Sequence, residues 1–238
     1  MVSIDIFAKK KIDHFTVFAS LPDMGRVGGL VSSFLASNLK AEHIANIISS
    51  PKPWVNVKDG VVESATDVYK IYFSDSDKLL ILTGDVQPED HRELLDLCHV
   101  FLDFCLSIGK IKRLYTAGGS LNEMLTGEPR VVGVTTKPEL TKILESSNVD
   151  TLGSEFTTIT WFNGLILGIA SDRNIEAIGF YGEISDKTLP QPLAAKSIVK
   201  AFSRIERLPI STKLFDAQYE EVLDHIERNK GMKNLDKK

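Results

Sequence analysis

Short apolar strands alternate with amphipathic helices along most of this chain. Residues 15–20 form a β-branched and aromatic run, which a glycine-bearing turn and a helix at residues 30–39 follow. Residues 78–83 (KLLILT) are almost continuously apolar, and a long helix with one broad apolar face follows at residues 89–108. Such a run is typical of a strand buried on both faces of a parallel sheet. The alternation predicts an α/β fold, a three-layer sandwich with a mostly parallel central sheet covered by helices.

The remaining segments extend this pattern. Further strands are predicted at residues 44–48, 55–57, 61–62, 68–73, 113–117, 130–135 and 175–180, and further helices at residues 138–144, 158–172 and 194–208. Lys58, Asp59 and Gly60 form the predicted turn of a hairpin. Pro209 breaks the chain before a last amphipathic helix and a polar tail. We therefore expect an α/β core domain at residues 1–208 and a C-terminal helical appendage at residues 209–238.

The net charge and the cysteines limit the partners and the compartment that we expect for this protein. The net charge is -4, whereas proteins that bind nucleic acid carry a basic face, so nucleic acid is not an expected partner. Cys98 and Cys105 lie two helical turns apart, about 11 Å, which is too far for a disulfide. Two buried thiols indicate a reducing, cytoplasmic compartment. The longest apolar stretch, residues 161–170, is shorter than the ~20 residues of a membrane span, and no signal peptide is expected at the N-terminus.

Motifs at the ends of several strands carry a resemblance to a known family. They are residues 21–28 (LPDMGRVG), residues 79–85 (LLILTGD) followed by Gln87 and Pro88, residues 114–119 (LYTAGG), residues 129–133 (PRVVG), and the late pair Gly182 and Glu183. In this order and spacing the chain resembles the archaeal members of the proteasome-assembly-chaperone family over residues 15–208. The resemblance implies a phosphorylase-like α/β fold, homo-oligomers, and a role in assembling or regulating the proteasome core particle. Some relatives are labelled ATP-grasp-like ligases.

The end of the chain departs from one pattern of that family. Members that dock into the α-ring pockets of the core particle end in a hydrophobic residue, a tyrosine and any last residue. This chain ends in Leu235, Asp236, Lys237 and Lys238. We therefore do not expect it to activate the proteasome by inserting its tail.

The loops at the strand ends suggest a ligand site. Residues 25–29 read G-x-x-G-G before a helix, where backbone N–H groups and Arg26 would contact an anion. This spacing is neither a dinucleotide fingerprint nor a P-loop, and a tight strand-to-helix turn also explains it. Asp23, Asp85 and Glu183 would share the crevice at the strand ends, or would only cap helices and turns. The candidate ligand-binding residues are Asp23, Gly25, Arg26, Gly28, Asp85, Gly118, Gly119 and Glu183.

The sequence contains no known catalytic pattern. No serine lies in a G-x-S-x-G motif, and Ser120 has no assigned base. His91, Cys98 and His99 do not converge on one point of a helix, as zinc ligands would. We expect no catalytic residues, no metal and no cofactor.

The leading hypothesis is a protein-binding role without catalysis. A homo-oligomer would bind proteasome core-particle subunits or other protein clients. Trp54, Phe215 and Tyr219 are the candidate partner-binding residues because aromatic anchors carry much of the affinity of interfaces. The alternative is an enzyme or sensor that binds a small anionic or nucleotide-like ligand at the carboxyl ends of the strands. The C-terminal helix either holds the oligomer together or caps its own domain.

Overall fold

A nine-stranded mixed sheet forms the centre of the molecule. The computed structural model describes residues 2–122, 124–153 and 158–235. The strands are β1 (Ser3–Ile6), β2 (Ile12–Ala19), β3 (Glu42–Ile48), β4 (Val55–Lys58), β5 (Val61–Ser64), β6 (Val68–Ser74), β7 (Leu79–Thr83), β8 (Gly109–Leu121), β9 (Val131–Thr135), β10 (Asp150–Thr151) and β11 (Ala177–Ile184). The helices are α1 (Val27–Asn38), α2 (His91–Ile108), α3 (Thr141–Glu145), α4 (Trp161–Asp172), α5 (Pro192–Glu206) and α6 (Lys213–Leu235). In the described part of the chain, no helix combines the length and apolarity needed to cross a bilayer.

The sheet has a parallel centre and antiparallel flanks. Its strand order is β1-β3-β6-β7-β2-β8-β11-β9-β10. The neighbours β7, β2, β8 and β11 pair in parallel. β1, β3 and β6 add antiparallel on one side. On the other side β9 pairs antiparallel with β11, and the short edge strand β10 pairs in parallel with β9. The predicted α/β fold is confirmed, and β7, the KLLILT strand, is buried along its whole length.

Helices cover both faces of this sheet. One apolar cluster joins the sheet to α2 and α4, and a second joins its other face to α1 and α5. Neighbouring residues of β8 alternate between them, since Leu114 belongs to the first cluster and Tyr115 to the second. Cys98 and Cys105 are free thiols in the first cluster, and burial raises the pKa of Cys98 to about 12.

The pairs Gly118-Gly119 and Gly182-Glu183 lie inside strands rather than after them. The sequence predicted that Gly118-Gly119 and Gly182-Glu183 follow their strands. This is wrong, because the parallel pairing of β8 with β11 places Gly118 opposite Tyr181 and Gly119 opposite Gly182. The pairing continues to Leu121 and Ile184, so both strands run farther than their apolar residues suggest.

The first turn of α6 packs against its own domain. Phe215 is fully buried, and its ring centroid lies 4.5 Å from that of Phe34 in α1. Lys196 of α5 forms an ion pair with Asp216 next to it. The ring of Phe215, a candidate partner-binding residue, therefore belongs to the core of its own domain. Tyr219, one turn later, is half-buried.

Candidate functional site

A cavity of about 600 Å³ opens at the carboxyl ends of β2 and β8, beside the first turn of α4. Its walls come from six parts of the chain: the loop after β2, the end of β8, the middle of β11, the segment before α2, the residue after β10 and the start of α4. The side chains that matter most here are Asp23, Met24, Gln87, Glu89, Leu121, Leu152, Ile159, Trp161, Asn163 and Tyr181. The carboxyl ends of parallel strands are the usual ligand position in open α/β sheets. The cavity is therefore the candidate site.

Asp23 ties the loop after β2 to both neighbouring elements. Its Oδ1 accepts a hydrogen bond from the backbone N–H of Gly28 at 2.9 Å, and its Oδ2 accepts one from the N–H of Gly119 at 2.6 Å. Burial nevertheless raises the pKa of Asp23 to about 6, since the two hydrogen bonds only partly offset the cost of removing a carboxylate from water. Asp23 is thus a carboxyl group that titrates close to neutral pH at the edge of a cavity.

Two amide side chains fasten the same loop to α4. The Nδ2 of Asn163 donates to the carbonyl of Leu21 at 3.1 Å, and its Oδ1 accepts from the N–H of Leu21 at 3.1 Å. Gln87 donates to the carbonyl of Pro22 and accepts from the N–H of Phe162. The sequence analysis assigned no role to Asn163 or Gln87. The one available signal was the polar Asn163 inside an apolar helical run.

The glycine loop before α1 is a tightly packed turn. A Cβ atom at Gly28 would lie 2.5 Å from the carbonyl oxygen of Leu21 and 2.6 Å from that of Ala117, so only glycine fits there. The N–H of Gly28 is already bonded to Asp23. Gly25 has φ +63° and packs against Gln191, and its N–H bonds to a backbone carbonyl. These contacts support the structural interpretation of residues 25–29 over an anion-binding one.

The three predicted carboxylates do not meet in one cavity. Asp23 lines the cavity described above, whereas Asp85 lines a separate depression that it shares with the exposed Arg26. Glu183 lies in an adjacent depression and forms an ion pair with Arg130, with Nη2 and Oε1 2.7 Å apart. This hydrogen-bonded pair lowers the pKa of Glu183. Glu183 is therefore held by its own partner and does not face Asp23 across the site.

The lining of the cavity is acidic and apolar. Asp23 and Glu89 are its charged residues, and no lysine, arginine or histidine belongs to the lining among the described residues. Within this described lining, no cation is present to bind the small anionic or nucleotide-like ligand that the sequence suggested. Among the described residues there is also no group of three or more histidine, cysteine, aspartate or glutamate side chains that would hold a metal ion.

A second exposed feature is the hairpin of β4 and β5. The predicted hairpin is confirmed; it forms a separate two-stranded sheet, and all eight of its strand residues are exposed. The register pairs Val57 with Val62 and Val55 with Ser64, so Val55, Val57 and Val62 lie on one face. Trp54 directly precedes the hairpin and is 56% exposed. We call Trp54, Val55, Val57 and Val62 the hairpin surface.

Fold and site together define a three-layer α/β protein with a ligand-sized cavity at its strand ends and an apolar hairpin on its surface. The chain belongs to the PAC2 family, whose model matches residues 17–230. This finding confirms the resemblance that the strand-end motifs carry.

Several relatives share the fold over nearly the whole chain. PbaB of Pyrococcus furiosus, an archaeal proteasome activator, has a TM-score of 0.83 at 26% identity and covers 96% of this chain and 98% of its own. PbaA of the same organism, an archaeal homolog of proteasome-assembly chaperone, has a TM-score of 0.77 at 19% identity, with 96% of each chain covered. An uncharacterized protein of Methanocaldococcus jannaschii is 25% identical over 222 residues, which are 92% of this chain and 84% of that protein.

The titration of Asp23 predicts a pH-dependent contribution to stability. Its native pKa of about 6 exceeds the ordinary value of 3.8, so the native state holds the proton more tightly than the unfolded state does. Asp23 therefore contributes stability below about pH 4, and this contribution is lost as the pH rises through 6. A pKa difference of about two corresponds to at most about 3 kcal/mol.

The measurement is the unfolding free energy of the native protein and of Asp23→Asn between about pH 4 and pH 7. An asparagine amide would face a backbone N–H, which destabilises the variant by a constant amount at every pH. We expect the native protein to lose its advantage over the variant as the pH rises. Parallel curves would show that Asp23 has its ordinary pKa.

Proposed function

We propose that this chain is a proteasome-assembly-chaperone-like protein that binds proteasome core-particle subunits or other protein clients as a homo-oligomer, without catalysis. Membership of the PAC2 family supports this role, as does the similarity to an archaeal proteasome activator and to a homolog of proteasome-assembly chaperone. The client-binding role and the oligomer are the parts that experiment must establish.

The hairpin surface is the observation that carries the proposal. A two-stranded hairpin is at best marginally stable alone in water, and packing of another strand or a helix on its apolar face stabilises it. Within the described chain nothing covers this face, since Val57 and Val62 remain 67% and 63% exposed. Valines beside an exposed tryptophan form the apolar core, with an aromatic anchor, that protein interfaces use.

The mechanism follows from this exposure. The hairpin surface would cover an apolar face of a proteasome subunit until the correct neighbouring subunit displaces it. Tyr219, half-buried on α6, is a second candidate contact. Because Phe215 anchors α6 to the domain, Tyr219 would be presented at a fixed position.

The test is binding of purified proteasome α and β subunits, singly and half-assembled, followed by native mass spectrometry and sedimentation. The double substitution Val57→Thr and Val62→Thr keeps the shape of both side chains and makes the face polar. We expect it to weaken binding at least about tenfold, which corresponds to about 1.4 kcal/mol. Val86→Thr is the matched control, because Val86 is exposed to 45% outside the hairpin.

Two results would contradict the proposal. If the native chain binds no proteasome subunit in any assembly state, the proteasome role is excluded for this protein. If the native chain binds and the double variant binds equally well, the role stands and the hairpin is not the contact. In the same experiment, the mass of the native chain without added subunits gives its number of subunits.

A further inference from the structure

The cavity beside Asp23 has the size of a small-molecule site. Its volume of about 600 Å³ lies within the ~300–1,000 Å³ of typical ligand pockets, and such pockets are mainly apolar with a few placed polar groups. Met24, Leu121, Leu152 and Ile159 form the apolar part of the wall. The cavity involves neither the valines of the hairpin nor Trp54, so it is a site separate from the proposed client surface.

The polar groups of the cavity lack a positive partner. The amides of Asn163 and Gln87 already bond to the backbone through both nitrogen and oxygen. Asp23 accepts one N–H on each oxygen, and each carboxylate oxygen can accept a second hydrogen bond. Glu89 is exposed at the wall, and the cation that acts on it, Lys52, is bound to Asp67 at 2.6 Å. The hydroxyl groups of Ser120, Thr158 and Thr160 also line the cavity and can donate or accept. The charge that the site offers is negative, so a ligand would have to supply the positive charge.

Two aromatic rings lie beside these acceptors. A Cβ atom built on Gly118 would be 2.8 Å from Oδ2 of Asp23 and 3.0 Å from the ring of Tyr181, which places carboxylate and ring side by side. The charge of Asp23 also contributes to the raised pKa of Tyr181, after the larger effect of burial. Trp161 lines the cavity and is 53% exposed. Its φ is +62°, a backbone conformation that bulky residues rarely adopt.

We propose that this cavity binds a small organic amine, a protonated amino group carried on an apolar body. The ammonium group would lie against Asp23 with the rings of both Tyr181 and Trp161 beside it, because a carboxylate and the negative face of an aromatic ring both attract a cation. The apolar body would fill the wall of Met24 and Leu121. An anion of the same size would meet two carboxylates and no cation.

The test is calorimetric titration of the full chain with three probes of matched shape. They are 2-phenylethylamine, the uncharged 2-phenylethanol and the anionic 3-phenylpropionate. We expect the amine to bind with a Kd below about 1 mM and at least about tenfold more tightly than the alcohol, and the anion not to bind. Equal affinity of amine and alcohol, tighter binding of the anion, or no heat from the amine would each overturn the proposal.

Two tryptophan variants locate the site. Trp161→Asn removes the ring and keeps a residue that tolerates positive φ, and we expect it to weaken amine binding about fivefold. Trp54→Asn, at an equally exposed tryptophan outside the cavity, is expected to leave the affinity unchanged. If both variants bind the amine as the native chain does, the amine is not bound in this cavity.

The pH profile distinguishes Asp23 from its neighbours in the native protein. The groups that face Asp23 are the N–H groups of Gly28 and Gly119, the ring of Tyr181 and, across the cavity, Glu89. Affinity for the amine should rise between about pH 5 and pH 7 as the carboxyl group loses its proton, and Glu89→Gln should keep this rise. A flat profile would show that Asp23 does not contact the ammonium group.

Discussion

Replacing Gly28 with alanine will lower the unfolding free energy by about 3 kcal/mol or more. The new methyl group would lie 2.5 Å from one backbone carbonyl oxygen and 2.6 Å from another, those of Leu21 and Ala117. Neither oxygen can rotate away as the end of a side chain would. The loop before α1 must therefore move, and it carries Asp23 and its hydrogen bond to Gly28 with it.

Gly168→Ala is the matched control for this change. Gly168 is also helical, but nothing lies within 4 Å of the position that its Cβ would take. Alanine there should raise stability by about 0.5–1 kcal/mol, because glycine is unfavourable inside a helix. Chemical denaturation of both variants measures the difference. Similar unfolding free energies for the two variants would show that the backbone around Gly28 moves at little cost to make room for a methyl group.

Replacing Phe215 with alanine will cost about 3–5 kcal/mol at the junction between α6 and the rest of the domain. The side chain is fully buried and in contact with Phe34, so its removal leaves a cavity between two helices. The first effect should be release of α6 rather than unfolding of the sheet. Hydrogen exchange of the α6 amides, followed with the melting temperature, separates these two events.

Leu214→Ala provides the comparison, because Leu214 is 54% exposed on the same turn. It should change stability by less than about 0.5 kcal/mol. Light scattering of both variants and of a chain truncated after Pro209 then tests whether α6 also joins subunits. A monomeric mass for the truncated chain and an unchanged mass for Leu214→Ala would show that α6 both packs on its own domain and joins subunits.

The parallel centre of the fold could be predicted from local sequence. The apolar run of β7 predicted a buried strand, and the amphipathic period of α2 predicted a helix packed on the sheet. The structure confirms both elements. The ends of β8 and β11 could not be predicted in this way. A side chain on Gly118 would meet Asp23 and Tyr181, and one on Gly119 would meet Met24 and Ile184, so both glycines of β8 depend on residues distant in sequence.

The candidate site could be predicted only in part, for a similar reason. Asp23 and Gly119 do meet, because the loop after β2 lies against the last part of its parallel neighbour β8. Glu183 pairs instead with Arg130, which directly precedes β9. The antiparallel pairing of β9 with β11 brings these two residues together, and the sequence did not reveal that pairing. Trp161 lines the cavity with a positive φ, and no local pattern marks such a residue in advance.

The place of β2 in the sheet has a consequence during translation. β2 lies between β7 and β8, and it pairs with both in parallel. Ala19 ends β2 and Gly109 begins β8, so the ribosome must add 90 residues after β2 before it begins to synthesise the second neighbour, β8. At roughly 5–20 residues per second this takes roughly 5–20 s, during which Phe15, Val17 and Phe18 emerge from the ribosome without their sheet. A protein proposed to shield the apolar faces of others therefore needs shielding itself while it is made.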